Sequence, residues 1–153
     1  MAFPLDVLQS TRKSFKRILE KLSLEALNKI PKGFSNNIIW NIGHIVVTEQ
    51  LLAYRLSGLP TMVSDELIEK YKKGTKPEGS VSQEEVNLIK GLLETTIEKT
   101  AKDYKNDAFK NFNEYMVSTT GNTLINIDDS LEFILFHEGM HLGYVLSMLK
   151  LVK

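Results

Sequence analysis

The sequence predicts an all-α protein, a four-helix bundle whose helices are joined by long irregular connections. Apolar residues recur at three- and four-residue steps in four long segments, which is the period of an amphipathic helix. The connections contain Pro31, Pro60 and Pro77 and show no convincing strand alternation. Four such helices within 153 residues can bury one hydrophobic core. We therefore predict one helical-bundle domain over residues 1–153.

Capping and chain-breaking residues mark the ends of the predicted helices. Pro4 suits the first turn of helix 1, and Ser57 and Gly58 end helix 2. Ser82 and Glu85 have the spacing of a capping box at the start of helix 3. Residues 107–127 are predicted to be irregular. The predicted helices are 4–22, Ser35 or Asn36 to Leu56, 82–104 and a last helix from a cap at Asn126 or Asp128 to about Lys150, with short helical turns at 23–30 and 64–71.

Charge and composition exclude several functional classes. Lys plus Arg and Asp plus Glu number 19 each, so nothing in the net charge favours nucleic acid or an anionic membrane as a partner. The chain has no cysteine, which excludes disulfides, thiolate ligands and a cysteine nucleophile. Neither a secretory signal nor a membrane-spanning stretch is recognisable, so we expect a cytoplasmic protein acting on a small molecule.

The most informative stretch is HEGMH at residues 137–141, which has the H-E-x-x-H pattern of helical zinc sites. In metalloproteases with this motif, a third protein ligand normally follows downstream. The positions of the extended pattern hold Tyr144 and Ser147 here, and no His, Asp or Glu follows His141. The sequence therefore argues against a metalloprotease, and a third ligand must come from upstream.

The remaining histidine, His44, lies in the middle of helix 2 within an apolar stretch. His137 and His141 are one helical turn apart and project from the same side of helix 4. If helices 2 and 4 pack together, three imidazoles converge, and three nitrogen ligands plus a water make an open, catalytic-type metal site. The alternative is that the rings pack in the core as hydrogen-bonded side chains. We predict a divalent-metal site, for which zinc, nickel, iron and copper are all suitable.

Helical-wheel positions place further polar groups beside the histidines. Asn41 and Thr48 lie one turn on either side of His44 and are candidates to hold an imidazole or a bound water. Ordinary capping and hydrogen bonding along the helix are the alternative roles for both. Tyr144 is a candidate to place a hydroxyl near the open coordination position, although a packed core tyrosine is the commoner case.

Glu138 and the basic residues of helix 1 are not assigned a catalytic role. Glu138 lies about 100° around the helix from His137, so it is expected to bond a neighbouring helix or to lie at the surface. The alternative is that its side chain reaches back to the histidines as a base or a hydrogen-bond acceptor. On helix 1, Arg12 falls among Lys13, Lys16 and Arg17, and we interpret these four residues as a solvated face. No residue is assigned as a catalytic acid or base.

Helix 4 carries a second apolar face, formed by Leu131, Leu135, Leu142, Leu146 and Leu149. A helix that is apolar on two sides is either central in its bundle or in contact with another subunit. We therefore predict a homodimer. Gly139 and Gly143 form a strip of small residues that is expected to let another helix approach closely.

The stretch NIGHIVVTEQ on helix 2, followed by LEFILFHEGMHLGYVLSMLK on the last helix, resembles the DinB-like (DinB/YfiT) superfamily. The similarity covers nearly the full chain, including FSNNIIWNIGH and TTGNTL. In that family one histidine of helix 2 and an H-x-x-x-H pair of the last core helix bind a divalent metal. The resemblance thus implies His44, His137 and His141 as the metal ligands.

The resemblance also implies a four-helix bundle with an unusually long connection, often a homodimer, with nickel or zinc in the site. Characterised members of the family resemble thiol-dependent enzymes such as bacillithiol and glutathione S-transferases. The mycothiol-dependent maleylpyruvate isomerase is a more distant relative. Many other members have no established activity and are only named as metal-dependent hydrolases.

Three hypotheses about function remain open at this point. The first is a metal-dependent enzyme in which the ion activates a low-molecular-weight thiol or a water, as a thiol S-transferase or a hydrolase. Because the chain has no cysteine, the thiol would come from outside. The second is a non-catalytic metal- or ligand-binding bundle linked to stress, and the third is a structural bundle whose histidines merely pack.

Overall fold

A computed structural model describes residues 2–153 and has a bundle of four long helices. This confirms the predicted all-α fold. The long helices are α1 (Phe3–Lys21), α3 (Ile38–Gln50), α5 (Gln83–Lys105) and α6 (Ile127–Val152). The short elements are α2 (Leu24–Asn28), α4 (Asp65–Tyr71) and the strands β1 (Tyr115–Met116) and β2 (Thr123–Leu124).

Side-chain caps fix where most of these helices begin. Ser82 accepts a hydrogen bond from the Glu85 amide at the start of α5, as the capping-box spacing predicted. Asn37 caps α3, and Asn126, one of the two predicted candidates, caps α6. A single π-helical turn, Leu51–Arg55, continues α3. A π-helical turn shifts the faces of the residues that follow it, and it was not predicted.

The packing of the four long helices brings α3 and α6 side by side. Helix α1 packs against α5 and α6, and α3 packs against the same two helices, so α1 and α3 lie across the bundle from each other. All residues of α3 except Thr48 are buried, as expected for a helix that is apolar almost all round. The middle of α3 is therefore held against the middle of α6.

The prediction that residues 107–127 are wholly irregular was wrong in one part. Strands β1 and β2, of two residues each, pair in an antiparallel hairpin. In the segment that joins them, Gly121 has φ +78°. Such short strands leave almost no alternating pattern in the sequence. Val117 and Leu124 are buried in the core, and this contact anchors the hairpin against the bundle.

The leucine face of α6 mostly belongs to the core. Leu131 is buried, and Leu135, Leu142 and Leu149 pack against core residues, whereas Leu146 is 48% exposed. Gly139 and Gly143 are exposed, and a Cβ at either position would meet no atom within 4 Å in the described chain. The expected close approach to these glycines is therefore absent within the described chain. Within residues 2–153, no helix combines the length and apolar character needed to cross a bilayer.

Candidate metal centre

The pairing of α3 with α6 brings the three histidines together. One ring nitrogen from each of His44, His137 and His141 lies within 4.8 Å of the others, and all three residues are buried. The Nε2 atoms of His44 and His137 are 3.2 Å apart. The ring centroids are 4.5 to 5.0 Å from one another. The predicted convergence of two distant stretches of chain is thus present.

Hydrogen bonds to the outer ring nitrogens orient two of these rings. Nδ1 of His44 lies 2.7 Å from the main-chain oxygen of Tyr71, and Nδ1 of His141 lies 2.7 Å from Oδ1 of Asn41. Because both partners are acceptors, each Nδ1 carries the proton and each Nε2 keeps its lone pair. Asn41 is held in turn by donating to the Asn37 carbonyl at 2.8 Å. Asn41, which lies one turn from His44 on α3, thus contacts His141 on the opposite helix α6.

A close helix contact beside His44 makes the first of these hydrogen bonds possible. A Cβ at Gly43 would stand only 2.6 Å from Cδ1 of Tyr71, so any larger side chain would push Tyr71 away. The glycine allows the end of α4 to approach α3 closely enough for the Tyr71 carbonyl to reach His44. On the other side, Trp40 stacks on His44 with a centroid distance of 4.6 Å. Gly43 and Tyr71 were not predicted as site residues.

Burial keeps all three imidazoles neutral. It lowers the pKa of His137 to about 2, with the neighbouring histidines contributing, and that of His141 to about 4. Burial also lowers the pKa of His44, although the Tyr71 carbonyl acts to raise it. Neutral imidazole is the form that binds metal, so the three rings need not lose a proton at neutral pH.

The donor set fits a divalent cation. Two Zn–N bonds of about 2.0–2.1 Å at a tetrahedral angle separate their nitrogens by roughly 3.3 Å, close to the 3.2 Å between His44 and His137. Nδ1 of His137 is buried and has no hydrogen-bond partner among the described residues. Nδ1 of His44 and Nδ1 of His141 carry their protons on hydrogen bonds to protein acceptors, so the Nε2 lone pairs of these two rings are available to a bound cation. His44, His137 and His141 would hold that ion.

A cavity of about 480 Å³ opens beside the three histidines. Thr48 contributes to its wall, with Oγ1 3.5 Å from Nε2 of His44, so Thr48 lies where its hydroxyl can meet a bound molecule. Tyr144 does not line it: the side chain is 47% exposed, and its ring centroid is 5.8 Å from that of His141. The remaining lining comes from the π-helical turn and the residue after it, the segment after α4, the hairpin and α6, namely Leu51, Leu52, Arg55, Leu56, Lys73, Tyr115, Val117, Ser118, Thr119, Phe133 and Met140.

The glutamate of the HEGMH motif points into a different part of the interior. Glu138 is buried and forms a bidentate ion pair with Arg12 of α1, with N–O distances of 2.7 and 2.6 Å. Arg12 also donates to the Leu93 carbonyl and to Thr96. Burial acts to lower the pKa of Arg12, but the charge of Glu138, its hydrogen bond to Arg12 and the charge of Glu49 together outweigh burial and raise the pKa. Glu138 thus bonds a neighbouring helix, one of its two expected positions, and is not free to act as a base.

The interpretation of Arg12 as part of a solvated face was wrong, because Arg12 is fully buried. Its position continues the buried series of Leu5, Leu8, Phe15 and Leu19 at steps of three and four, which was the available sequence signal. A second buried carboxyl, Glu49 on α3, lies within electrostatic range of this ion pair and is also missing from the sequence prediction. We call Arg12, Glu138, Glu49, Thr96 and Thr100 the ion-pair cluster.

The fold and the site together define a helical-bundle protein with a buried cluster of three neutral histidines that can hold a metal ion. The model of one family, the DinB superfamily, matches residues 8–145 and includes all three histidines. This chain belongs to the DinB superfamily. No curated protein matches it.

Proposed function

We propose that this protein is a metal-dependent enzyme of the thiol S-transferase type. In this proposal His44, His137 and His141 hold a divalent ion, zinc or nickel. In the adjoining cavity the sulfur of a small-molecule thiol forms a bond to an electrophile, the thiol proton is released, and the leaving group of the electrophile departs with its bonding electrons. The observation that carries the proposal is the convergence of three neutral imidazoles beside a cavity of about 480 Å³. A purely structural cluster would have no need of such an opening. Membership of the DinB superfamily supports the proposal.

The chain's own residues hold and shape the site. A divalent ion bound there would lower the pKa of a thiol or a water that reached it. The hydrogen bonds from His44 to Tyr71 and from His141 to Asn41 keep the Nε2 lone pairs directed inwards. Apolar side chains such as Leu51 and Phe133 line much of the cavity and favour a substrate with an apolar part. The hydroxyl of Thr48 is available to donate a hydrogen bond to a bound molecule.

In this proposal the thiol comes from outside the protein. The chain has no cysteine, so a sulfur nucleophile would have to enter the cavity as a co-substrate. The alternative is a hydrolase, in which water is the nucleophile at the same three histidines. A non-catalytic metal- or ligand-binding bundle is the remaining possibility, and it would bind the ion without turnover.

The test begins with protein that lacks a histidine tag. Metal content is measured for the wild type, for His44→Ala, and for Met140→Leu, a cavity variant that keeps every candidate ligand. The wild type and Met140→Leu should bind close to one ion per chain, and His44→Ala should not. Each protein is then incubated with low-molecular-weight thiols and an electrophile panel, with and without chelator.

Each result of these incubations has a defined meaning. Turnover that requires the thiol and is lost with chelator supports the transferase, whereas turnover without thiol favours the hydrolase. Stoichiometric metal without turnover on any substrate favours the non-catalytic binder. Chelator-insensitive turnover, or wild-type protein that binds no metal, contradicts the proposal.

We also propose that the protein forms a homodimer through the outer face of α6. Phe136 and Leu146 are 51% and 48% exposed, and Gly139 and Gly143 lie between them with open space above. Exposed apolar residues on one helix face favour association with a second copy. Sedimentation analysis should find a dimer for the wild type and a monomer for Leu146→Glu. A wild-type monomer at all concentrations would contradict this.

A further inference from the structure

The charged residues that line the cavity beside the three histidines, here called the histidine cavity, all have the same sign. Among the fifteen lining residues, the charged ones are Arg55 and Lys73, and no Asp or Glu is present. The whole chain, by contrast, has equal numbers of acidic and basic residues. The larger cavity of about 720 Å³ beside Trp40 shows the opposite balance, because four acidic and two basic residues line it. The basic bias is thus a property of the histidine cavity and is absent from its neighbour.

The two basic side chains reach this cavity from separate elements. Arg55 ends the π-helical turn that continues α3, and Lys73 follows α4 by two residues. Within residues 2–153, Lys73 makes no salt bridge. Arg55 has one partner, Asp65, at 3.6 Å, and this carboxylate is 95% exposed. Such a long and solvated pair is weak, so both cations can accept an anionic ligand.

The rest of the lining suits a molecule with an apolar part. Seven residues present carbon-rich surface, and the hairpin adds the hydroxyls of Ser118 and Thr119, which can donate hydrogen bonds to an anion. The seven are Leu51, Leu52, Leu56, Tyr115, Val117, Phe133 and Met140.

We propose that this cavity selects small molecules in which a carboxylate is joined to an apolar body, and that Arg55 and Lys73 bind the carboxylate. The apolar body then lies against the leucines, Phe133 and Met140, which line the same cavity as the three histidines. The inference rests on the proposed function for the identity of the site, because it assigns the substrate class of the same cavity. It makes a separate prediction about binding, which can be measured without turnover.

The test uses a matched pair of probes, 4-phenylbutanoate and its neutral amide, 4-phenylbutanamide. Affinities are measured by ligand-observed NMR on chelator-treated, metal-free protein, so that direct coordination of the carboxylate by a metal cannot contribute. The wild type should prefer the carboxylate. Lys73→Gln and Arg55→Gln should each reduce that preference by about fivefold, the size expected for one solvated charge pair, with little effect on the amide. Lys32→Gln, an exposed lysine outside the cavity, is the control and should change neither affinity.

A further variant tests the direction of the effect. Asp65→Asn removes the carboxylate that competes for Arg55, so the preference for the carboxylate probe should increase. Equal affinities for both probes, no detectable binding of the carboxylate, or a preference unchanged in Lys73→Gln and Arg55→Gln would overturn the inference. Because these readouts need neither metal nor turnover, they distinguish its failure from failure of the proposed enzyme.

Discussion

Two buried polar clusters lie beside the same helix, and they differ in how their polar atoms are satisfied. In the ion-pair cluster, Arg12 donates to both oxygens of Glu138, to the Leu93 carbonyl and to Thr96. In the histidine cluster, two Nε2 atoms face each other at 3.2 Å, and Nδ1 of His137 has no partner among the described residues. The first cluster is complete with protein atoms alone. The second leaves a ring nitrogen of His137 without a protein partner and opens onto a cavity, as a site for a cation would.

One five-residue motif supplies both clusters. His137 and His141 point towards α3, whereas Glu138, about 100° around the helix, points towards α1. The Arg12–Glu138 ion pair and the contact with His44 therefore lie on two different faces of α6. In this protein, the glutamate of H-E-x-x-H has a structural role. We therefore expect substitutions in the ion-pair cluster to change the free energy of unfolding strongly, and substitutions in the histidine cluster to change metal binding.

The largest effect is expected from Arg12→Met, which leaves the buried charge of Glu138 without a partner. Breaking a buried ion pair in this way should lower the free energy of unfolding by about 3–5 kcal/mol. Urea denaturation measures the change. Lys16→Met is the control, because it removes a half-exposed pair with Glu94 on the same helix and should cost at most about 1 kcal/mol. If both variants lose the same small amount of free energy of unfolding, the buried ion pair contributes no more to stability than the exposed one.

The next effect concerns pH and Glu49. Burial raises the pKa of Glu49 to about 7, although the charge of Arg12 acts to lower it, and Glu138, Gln50 and Thr100 also face this carboxyl. Between the unfolded pKa near 4.5 and the folded pKa, the native state binds more protons, so this residue makes stability fall as pH rises. The loss is complete above pH 7 and is on the order of 3 kcal/mol.

Glu49→Gln should therefore be more stable than the wild type at pH 8, and the gain should shrink towards pH 5. The metal-free histidines act in the opposite direction, because their lowered pKa values make stability rise with pH up to about 6.5. For this reason the difference between variant and wild type is measured by urea denaturation at each pH. A difference that does not vary with pH would mean that Glu49 is ionised throughout.

The contrast between the clusters also separates what the sequence could predict from what it could not. The spacing of His137 and His141 fixes their common face, and the apolar surroundings of His44 indicate its burial. The convergence of the three rings depended on the packing of helices 2 and 4, which the family resemblance implied and helical geometry alone did not. Arg12 was misplaced because a charge next to Lys13 suggests solvent, and only its three- and four-residue spacing contradicts this. The roles of the Tyr71 carbonyl and of Gly43 arise from the packing of the short helix α4 against α3. No local sequence pattern predicts that packing.

A third prediction concerns the histidine cluster. If the three rings hold zinc, adding the ion at about 100 times its dissociation constant should stabilise the wild type by about 2.7 kcal/mol. His44→Ala should lose this stabilisation, while Arg12→Met, although destabilised, should keep a metal-dependent increase in melting temperature. Thermal denaturation with and without zinc measures both. If zinc raises the melting temperature of His44→Ala as much as that of the wild type, the ion is not bound by these three histidines.

The smallest expected effect tests the contact that links α3 to the histidine pair. Asn41→Leu removes the acceptor 2.7 Å from Nδ1 of His141, so the ring loses the partner that fixes its tautomer and orientation. Loss of such a partner typically weakens metal binding by about 10–100-fold. Asn41→Asp keeps an acceptor at the same place and should retain most of the affinity in competition titrations with a chromogenic chelator. If both variants lose affinity equally, the acceptor for His141 is not sufficient, and the hydrogen bond that Asn41 donates to the Asn37 carbonyl is needed as well.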